Sequence, residues 1–102
     1  MLYEFKDGRI YLTRTPEERA PLLNRLSRIE GQVRGLRQMI EDDRYCGDEI
    51  QQSNAVTAAL REVALLLIAQ HLDAGLECAM QPDLKAAAVS DILALLRKAV
   101  KL

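Results

Sequence analysis

The sequence predicts an all-α protomer of two long helices and a short C-terminal third, preceded by a short N-terminal arm. Three observations carry that expectation. Thr15-Pro16-Glu17-Glu18 opens a run of apolar residues spaced by threes and fours; a second, longer run extends from about Asp48 to about Cys78; and Gln81-Pro82-Asp83 separates it from a third amphipathic stretch.

Residues 1–14 differ from everything after them and hold most of the aromatic side chains. Leu2, Tyr3 and Phe5 precede Lys6-Asp7-Gly8, and Ile10, Tyr11 and Leu12 follow; Asp-Gly between two such runs signals a β-hairpin. An isolated hairpin is unstable in water. The arm is therefore either a hairpin packed on the helices or a disordered segment, and residues 15–102 form the helical domain. In helix one, Thr15 is the N-cap, Pro16 the first helical residue and Glu18 the partner that closes a capping box. Leu22, Leu26, Ile29, Val33, Leu36, Met39 and Ile40 form its expected buried stripe. Gly31 and Gly35 each cost about 1 kcal/mol of helix propensity relative to alanine, and a close helix crossing would account for them.

Asp42, Asp43 and Gly47 supply a turn. The second helix, at 1.5 Å per residue, is roughly 45 Å long. From Ala55 to Ala69 it is apolar round nearly the whole wheel, so it must be covered on several sides. The third helix runs from Leu84 to Leu102, with Ala88, Val89, Ile92, Leu95, Leu96 and Val100 inward and Arg97, Lys98 and Lys101 at its negative end. A chain of 102 residues with no tryptophan and 4% aromatics cannot enclose such a second helix alone. An antiparallel homodimer, doubled into a dimer-of-dimers homotetramer, is expected.

A net charge of -1 does not by itself announce nucleic acid, but the distribution of charge is uneven. Arg19, Arg25, Arg28, Arg34 and Arg37 face the single acid Glu30, whereas Glu41, Asp42, Asp43, Asp48 and Glu49 crowd the segment after them. No apolar leader is visible, and the longest apolar run, Val63 to Ala69, is too short to cross a bilayer, so a cytoplasmic protein without a membrane partner is expected. In that reducing compartment Cys46 and Cys78 are free thiols, ligands or redox groups rather than a structural disulfide. Cys46 falls at the start of helix two, where the helix dipole favours an anionic sulfur; a small buried hydrophobe is the competing reading. His71, the one histidine, shares a helix face with positions 75 and 78.

Arg28-Ile29-Glu30-Gly31-Gln32-Val33-Arg34-Gly35-Leu36, together with the spacing from Tyr45-Cys46 to His71, resembles the signature of the copper-sensitive operon repressor (CsoR) family over roughly residues 17–101. That family also holds nickel/cobalt-, formaldehyde- and persulfide-responsive regulators. The resemblance implies a repressor that binds double-stranded operator DNA and releases it when an effector, Cu(I), binds between the cysteine of one protomer and the histidine of its partner. It implies the same dimer and tetramer. At the family's third-ligand position, one turn after the histidine, this chain has Gly75, and Cys78 is either a substitute ligand or an unrelated thiol. Tyr45 and Asp91 fall where the family has a hydrogen-bond network behind the sensor. Arg25, Arg28, Arg34 and Arg37 on helix one and Arg61 on helix two are the candidate phosphate contacts. The neighbouring Glu62 stands where family members often carry a basic residue.

Alternatives within the family keep Cys46 as a reactive thiol. A formaldehyde sensor would need the N-terminal proline amine that this chain lacks, and a persulfide sensor would join Cys46 to Cys78 and leave His71 unexplained. The extra histidines of nickel or cobalt sensors are missing. Outside the family, a thiol enzyme would use Cys46 as nucleophile and His71 as base, but no glycine-rich oxyanion loop is visible. A structural helical module, its arginines merely solubilising, is the remaining class.

Overall fold

The computed structural model describes residues 2–101. Two strands, β1 (Leu2–Lys6) and β2 (Arg9–Thr13), lead into three helices, α1 (Pro16–Glu41), α2 (Cys46–Ala79) and α3 (Lys85–Ala99). The strands pair antiparallel with Phe5 opposite Ile10 and Lys6 opposite Arg9. Asp7 and Gly8 form the two-residue turn, both with positive φ, 52° and 73°. That is the left-handed geometry a tight hairpin requires and an Asp-Gly pair tolerates. Of the two expectations for the arm, the hairpin is the one realised.

The capping box at the start of α1 is complete: the Thr15 amide donates to Glu18 Oε1 at 2.9 Å and the Glu18 amide to Thr15 Oγ1 at 3.2 Å. The backbone donation from Thr15 also holds the Glu18 carboxyl below its usual pKa. α2 begins at Cys46, two residues earlier than expected, because Gly47 is not part of the turn. Asp43, with φ 52°, takes the left-handed position instead. Gly47 lies inside the first helical turn, where a β-carbon would stand 2.4 Å from the Tyr45 ring. Glycine there makes room for the tyrosine. α3 ends at Ala99; its expected last residue, Leu102, lies outside the described residues.

Two small cores result. Leu22 and Ile29 of α1 close on Val63 of α2, flanked by Leu26, Val56, Ala59 and Leu66. Ile10 of the hairpin, Ala74 and Cys78 of α2 and Ala88 of α3 form the other, flanked by Tyr3, Phe5, Leu12, Ala79 and Leu84. The apolar stripes continue beyond these cores into solvent. Val33 and Ile40 on α1, Val89 and Leu96 on α3, and Val100 just past its end are expected inside but are exposed, because a single α1·α2·α3 layer offers nothing to cover them. The close crossing expected at Gly31 and Gly35 is likewise not made within the chain. A β-carbon at Gly35 would sit at ordinary contact, 3.5 Å, from Gln52 Nε2, and one at Gly31 would approach only Arg34 of its own helix.

The body measures 59 × 29 × 18 Å, an elongated plate that leaves Ile50, Leu60, Leu65 and Leu76 of α2 open. By length and composition α2 as a whole is apolar enough to cross a bilayer, and little of its most apolar stretch is buried within the chain. Arg61 and Glu62, however, fall at mid-helix, where each charge would cost about 2.5–3.5 kcal/mol in hydrocarbon.

Candidate effector and nucleic-acid surfaces

His71 lies near the C-terminal end of α2, and its Nε2 is 2.7 Å from Asp91 Oδ2 on α3. Both side chains are nearly buried, 13% and 12% exposed. A carboxylate oxygen can only accept, so Nε2 is the donor in this contact and Nδ1 is left outside it. The same Asp91 oxygen accepts from the backbone amide of Ile10 at 3.4 Å, which ties the hairpin to the pair. An open cleft of about 330 Å³, edged by Arg9, Tyr11, Leu95 and Lys98, gives access to His71 and Asp91.

Cys46 is exposed at the first residue of α2, and Tyr45, beside it, is 76% exposed. Within one chain these two residues are far from His71 and Asp91. From residue 46 to residue 71 a continuous helix rises roughly 37 Å, and at about 100° per residue the two side chains lie within some 20° of each other around the axis. The helix therefore sets thiol and imidazole on one flank, seven turns apart. Among the described residues of a single chain, no three His, Cys, Asp or Glu side chains converge on a metal-sized site.

Cys78 is fully buried in the core beneath the hairpin. Burial, and then the charges of Asp83 and Asp91, push its thiol pKa up. A metal ligand must be a thiolate, so this environment favours the opposite form. The sign of the linkage is definite. Because the folded pKa is raised, the thiol's contribution to stability is complete below the unfolded value near 8.5 and is lost as pH rises through the folded one. The urea midpoint of the native chain is expected to fall more steeply between about pH 8 and pH 10 than that of Cys78→Ala. Parallel curves for the two proteins would refute it.

Gly75 is buried against α3. A β-carbon there would stand 2.8 Å from both Ile92 Cγ1 and Cδ1 and 3.6 Å from Ile10 Cδ1. The turn after His71 is thus filled by the two isoleucines. Gly75→Cys is expected to cost about 1–3 kcal/mol through overpacking, measured by urea unfolding, and Ile92→Ala should cost less in that background than alone. Additive losses would show that the isoleucine is not the obstacle.

The arginines divide over α1. Arg25 and Arg28 border a small cleft with Gln32 and Ala59, and the Gln32 side-chain oxygen there is buried without a hydrogen-bond partner. Arg34 lies about 180° round the helix from Arg25, beside Glu30 and Val33. Arg37 is exposed and paired with Glu41 at 3.3 Å. Arg61 is exposed on α2. One chain therefore presents two short cationic faces rather than a continuous one.

The chain is thus a long-helix plate with uncovered apolar faces, basic residues on its first helix, and a thiol and an imidazole seven turns apart on its second. The family described as metal-sensitive transcriptional repressor matches residues 18–98, and the chain belongs to it. The copper-sensing transcriptional repressor CsoR of Bacillus subtilis (strain 168) is 40% identical over 88 residues, 86% of this chain and 87% of that protein. Among solved structures, the copper-sensing repressor CsoR with Cu(I) from Geobacillus thermodenitrificans NG80-2 superposes with a TM-score of 0.73 at 35% identity, covering 89% of this chain and 92% of that one. The nickel-responsive transcriptional regulator InrS superposes with 0.75 at 28% identity, covering 87% and 97%.

Proposed function

We propose that the chain is a cytoplasmic Cu(I)-responsive repressor that works as an antiparallel homodimer, doubled into a tetramer. Its effector site joins Cys46 of one protomer to His71 of the partner subunit. The carrying observation is the placement of thiol and imidazole on one flank of a single helix, too far apart to share a ligand within a chain. A two-fold that sets the start of one α2 beside the end of another brings each Cys46 to the partner's His71 and centres the contact between positions 58 and 59. Ala58 stands there, exposed and small enough for close approach. Ile50, Leu65 and Leu76 lie within about 80° of one another around α2 and supply an apolar seam along it.

The donor set suits Cu(I), which prefers soft ligands: an exposed thiol and an imidazole whose Nε2 is already engaged by Asp91. Bound Cu(I) would supply a short cross-link between two chains. Tyr45, next to Cys46, would in that dimer approach the partner's His71 and complete a hydrogen-bond network with Asp91. Cys78 stays outside the ligand set in this reading, which also weakens the persulfide alternative, since that chemistry needs both sulfurs accessible. Repetition of the subunit would join the Arg25/Arg28 and Arg34/Arg37 faces and Arg61 into a surface spanning several phosphates, giving strong, salt-dependent DNA affinity. The experiment is an anaerobic mobility-shift titration of reduced protein with operator duplex. A shift reversed by equimolar Cu(I) but not by Ni(II) is expected; reversal by Ni(II), formaldehyde or a persulfide donor in place of Cu(I) would reassign the effector.

A further inference from the structure

The hairpin is fastened along the face of α2 that carries His71. Arg14, the residue after β2, donates from Nε to the side-chain oxygen of Gln70, the residue before His71. Ile10, 5% exposed, wedges its side chain among Ala74, Cys78 and Ala88 and reaches toward Gly75. Gln81, past the end of the helix, donates to the Tyr3 hydroxyl at 3.0 Å. At the centre of these attachments the Ile10 amide donates to the oxygen of Asp91 that holds His71. It belongs to no hairpin ladder partner and is spent on α3.

From this we infer that Ile10 is a positioning residue of the effector site: its amide fixes the Asp91 carboxylate, the carboxylate fixes the His71 ring, and docking of the hairpin is thereby coupled to effector binding. This rests on the reading of His71 as an effector ligand. A carboxylate on a single bond swings freely unless a second group holds it. With the amide in place, both donors meet at one oxygen and the ring is held through Nε2, which leaves Nδ1 for the effector; with the hairpin lifted, Asp91 and then His71 lose that orientation. Linkage makes the coupling reciprocal, so effector at His71 must tighten the hairpin by the same factor by which the hairpin tightens effector binding.

The test uses the full-length reduced chain, Cu(I) as the probe, a chromophoric chelator to read affinity and amide hydrogen exchange to read the hairpin. Gly8→Val strains the turn at φ 73°, and a β-carbon there meets nothing within 4 Å, so it loosens the hairpin without replacing any residue of the site. Gly8→Asn, which tolerates the left-handed conformation, serves as the conservative rescue. Ile10→Ala loosens the docking by a second route. Cu(I) is expected to slow exchange of the Ile10 amide in the native chain. Gly8→Val and Ile10→Ala should bind Cu(I) roughly tenfold more weakly, with Gly8→Asn close to native. Faster hairpin exchange in the two loosened variants at unchanged Cu(I) affinity would overturn the inference and leave the effector site standing. A native chain that takes up no Cu(I), or in which His71→Ala binds it equally well, would overturn both.

Discussion

Cys46→Ser is expected to leave operator binding by the metal-free protein unchanged within about twofold and to abolish its release by Cu(I). The side chain is exposed at the first residue of α2 and belongs to neither core, so the substitution should alter stability by no more than about 0.5 kcal/mol. What it removes is the soft donor; a serine hydroxyl is a hard, protonated oxygen with little affinity for Cu(I). If effector and operator are coupled by about 3 kcal/mol, the native protein loses on the order of a hundredfold in DNA affinity when Cu(I) is added, and the variant should lose nothing measurable. Fluorescence anisotropy with labelled operator, with and without Cu(I), reads both quantities from one sample. Full release in Cys46→Ser would remove Cys46 from the site, and loss of DNA binding before any metal is added would make it a structural residue instead.

How much of this could be read in the sequence differs from element to element for physical reasons. The start of α1 was legible because a capping box is local: Thr15 and Glu18 satisfy each other's backbone within one turn, whatever packs elsewhere. The hairpin was legible for the same reason, since Asp7-Gly8 supplies its own turn geometry. Periodicity located α1 and α3 but overstated what one chain buries. Val33, Ile40 and Leu96 obey the helical repeat yet find no partner in the protomer, and periodicity does not say whether the covering surface belongs to the same chain. Glycine proved ambiguous at position 47, where a turn and a space for the Tyr45 ring ask for the same residue.

At the candidate site, the separation of Cys46 from His71 follows from helix arithmetic only because α2 runs unbroken from Cys46 to Ala79, starting two residues before the point the sequence predicts. The family resemblance put Asp91 with Tyr45 in a hydrogen-bond network behind the sensor, and the structure sets its carboxylate 2.7 Å from His71 while Tyr45 stays exposed at the far end of α2. The hairpin's part was not legible. Nothing in the residue type of Ile10 tells that its amide faces α3, because every residue but proline carries that donor. Nor could spacing alone decide Cys78: it shares the His71 face at a seven-residue step, but Ile10 and Ala88, remote in sequence, close over it.

Leu65→Glu is expected to have the other large effect, because it tests the inferred assembly without touching effector ligands or arginines. Leu65 is 57% exposed at mid-helix in the protomer, so glutamate there demands no rearrangement of either core. In an antiparallel pair of α2 helices the same residue would be buried in the seam, and the two-fold would introduce the carboxylate twice. A charge without a partner in such an interface costs several kcal/mol, enough to shift a micromolar solution from dimer toward free chains of 11.5 kDa. Because each protomer offers only two short cationic faces, separating the subunits should weaken operator binding by a hundredfold or more through loss of multivalency. The isolated plate, with two small cores and open apolar flanks, should also melt at lower temperature than the assembly. Sedimentation velocity and operator titration on the same preparation check both consequences. If Leu65→Glu kept the native mass and native DNA affinity, the exposed face of α2 would not be the seam, and Cys46 and the partner's His71 would have no route to a shared effector.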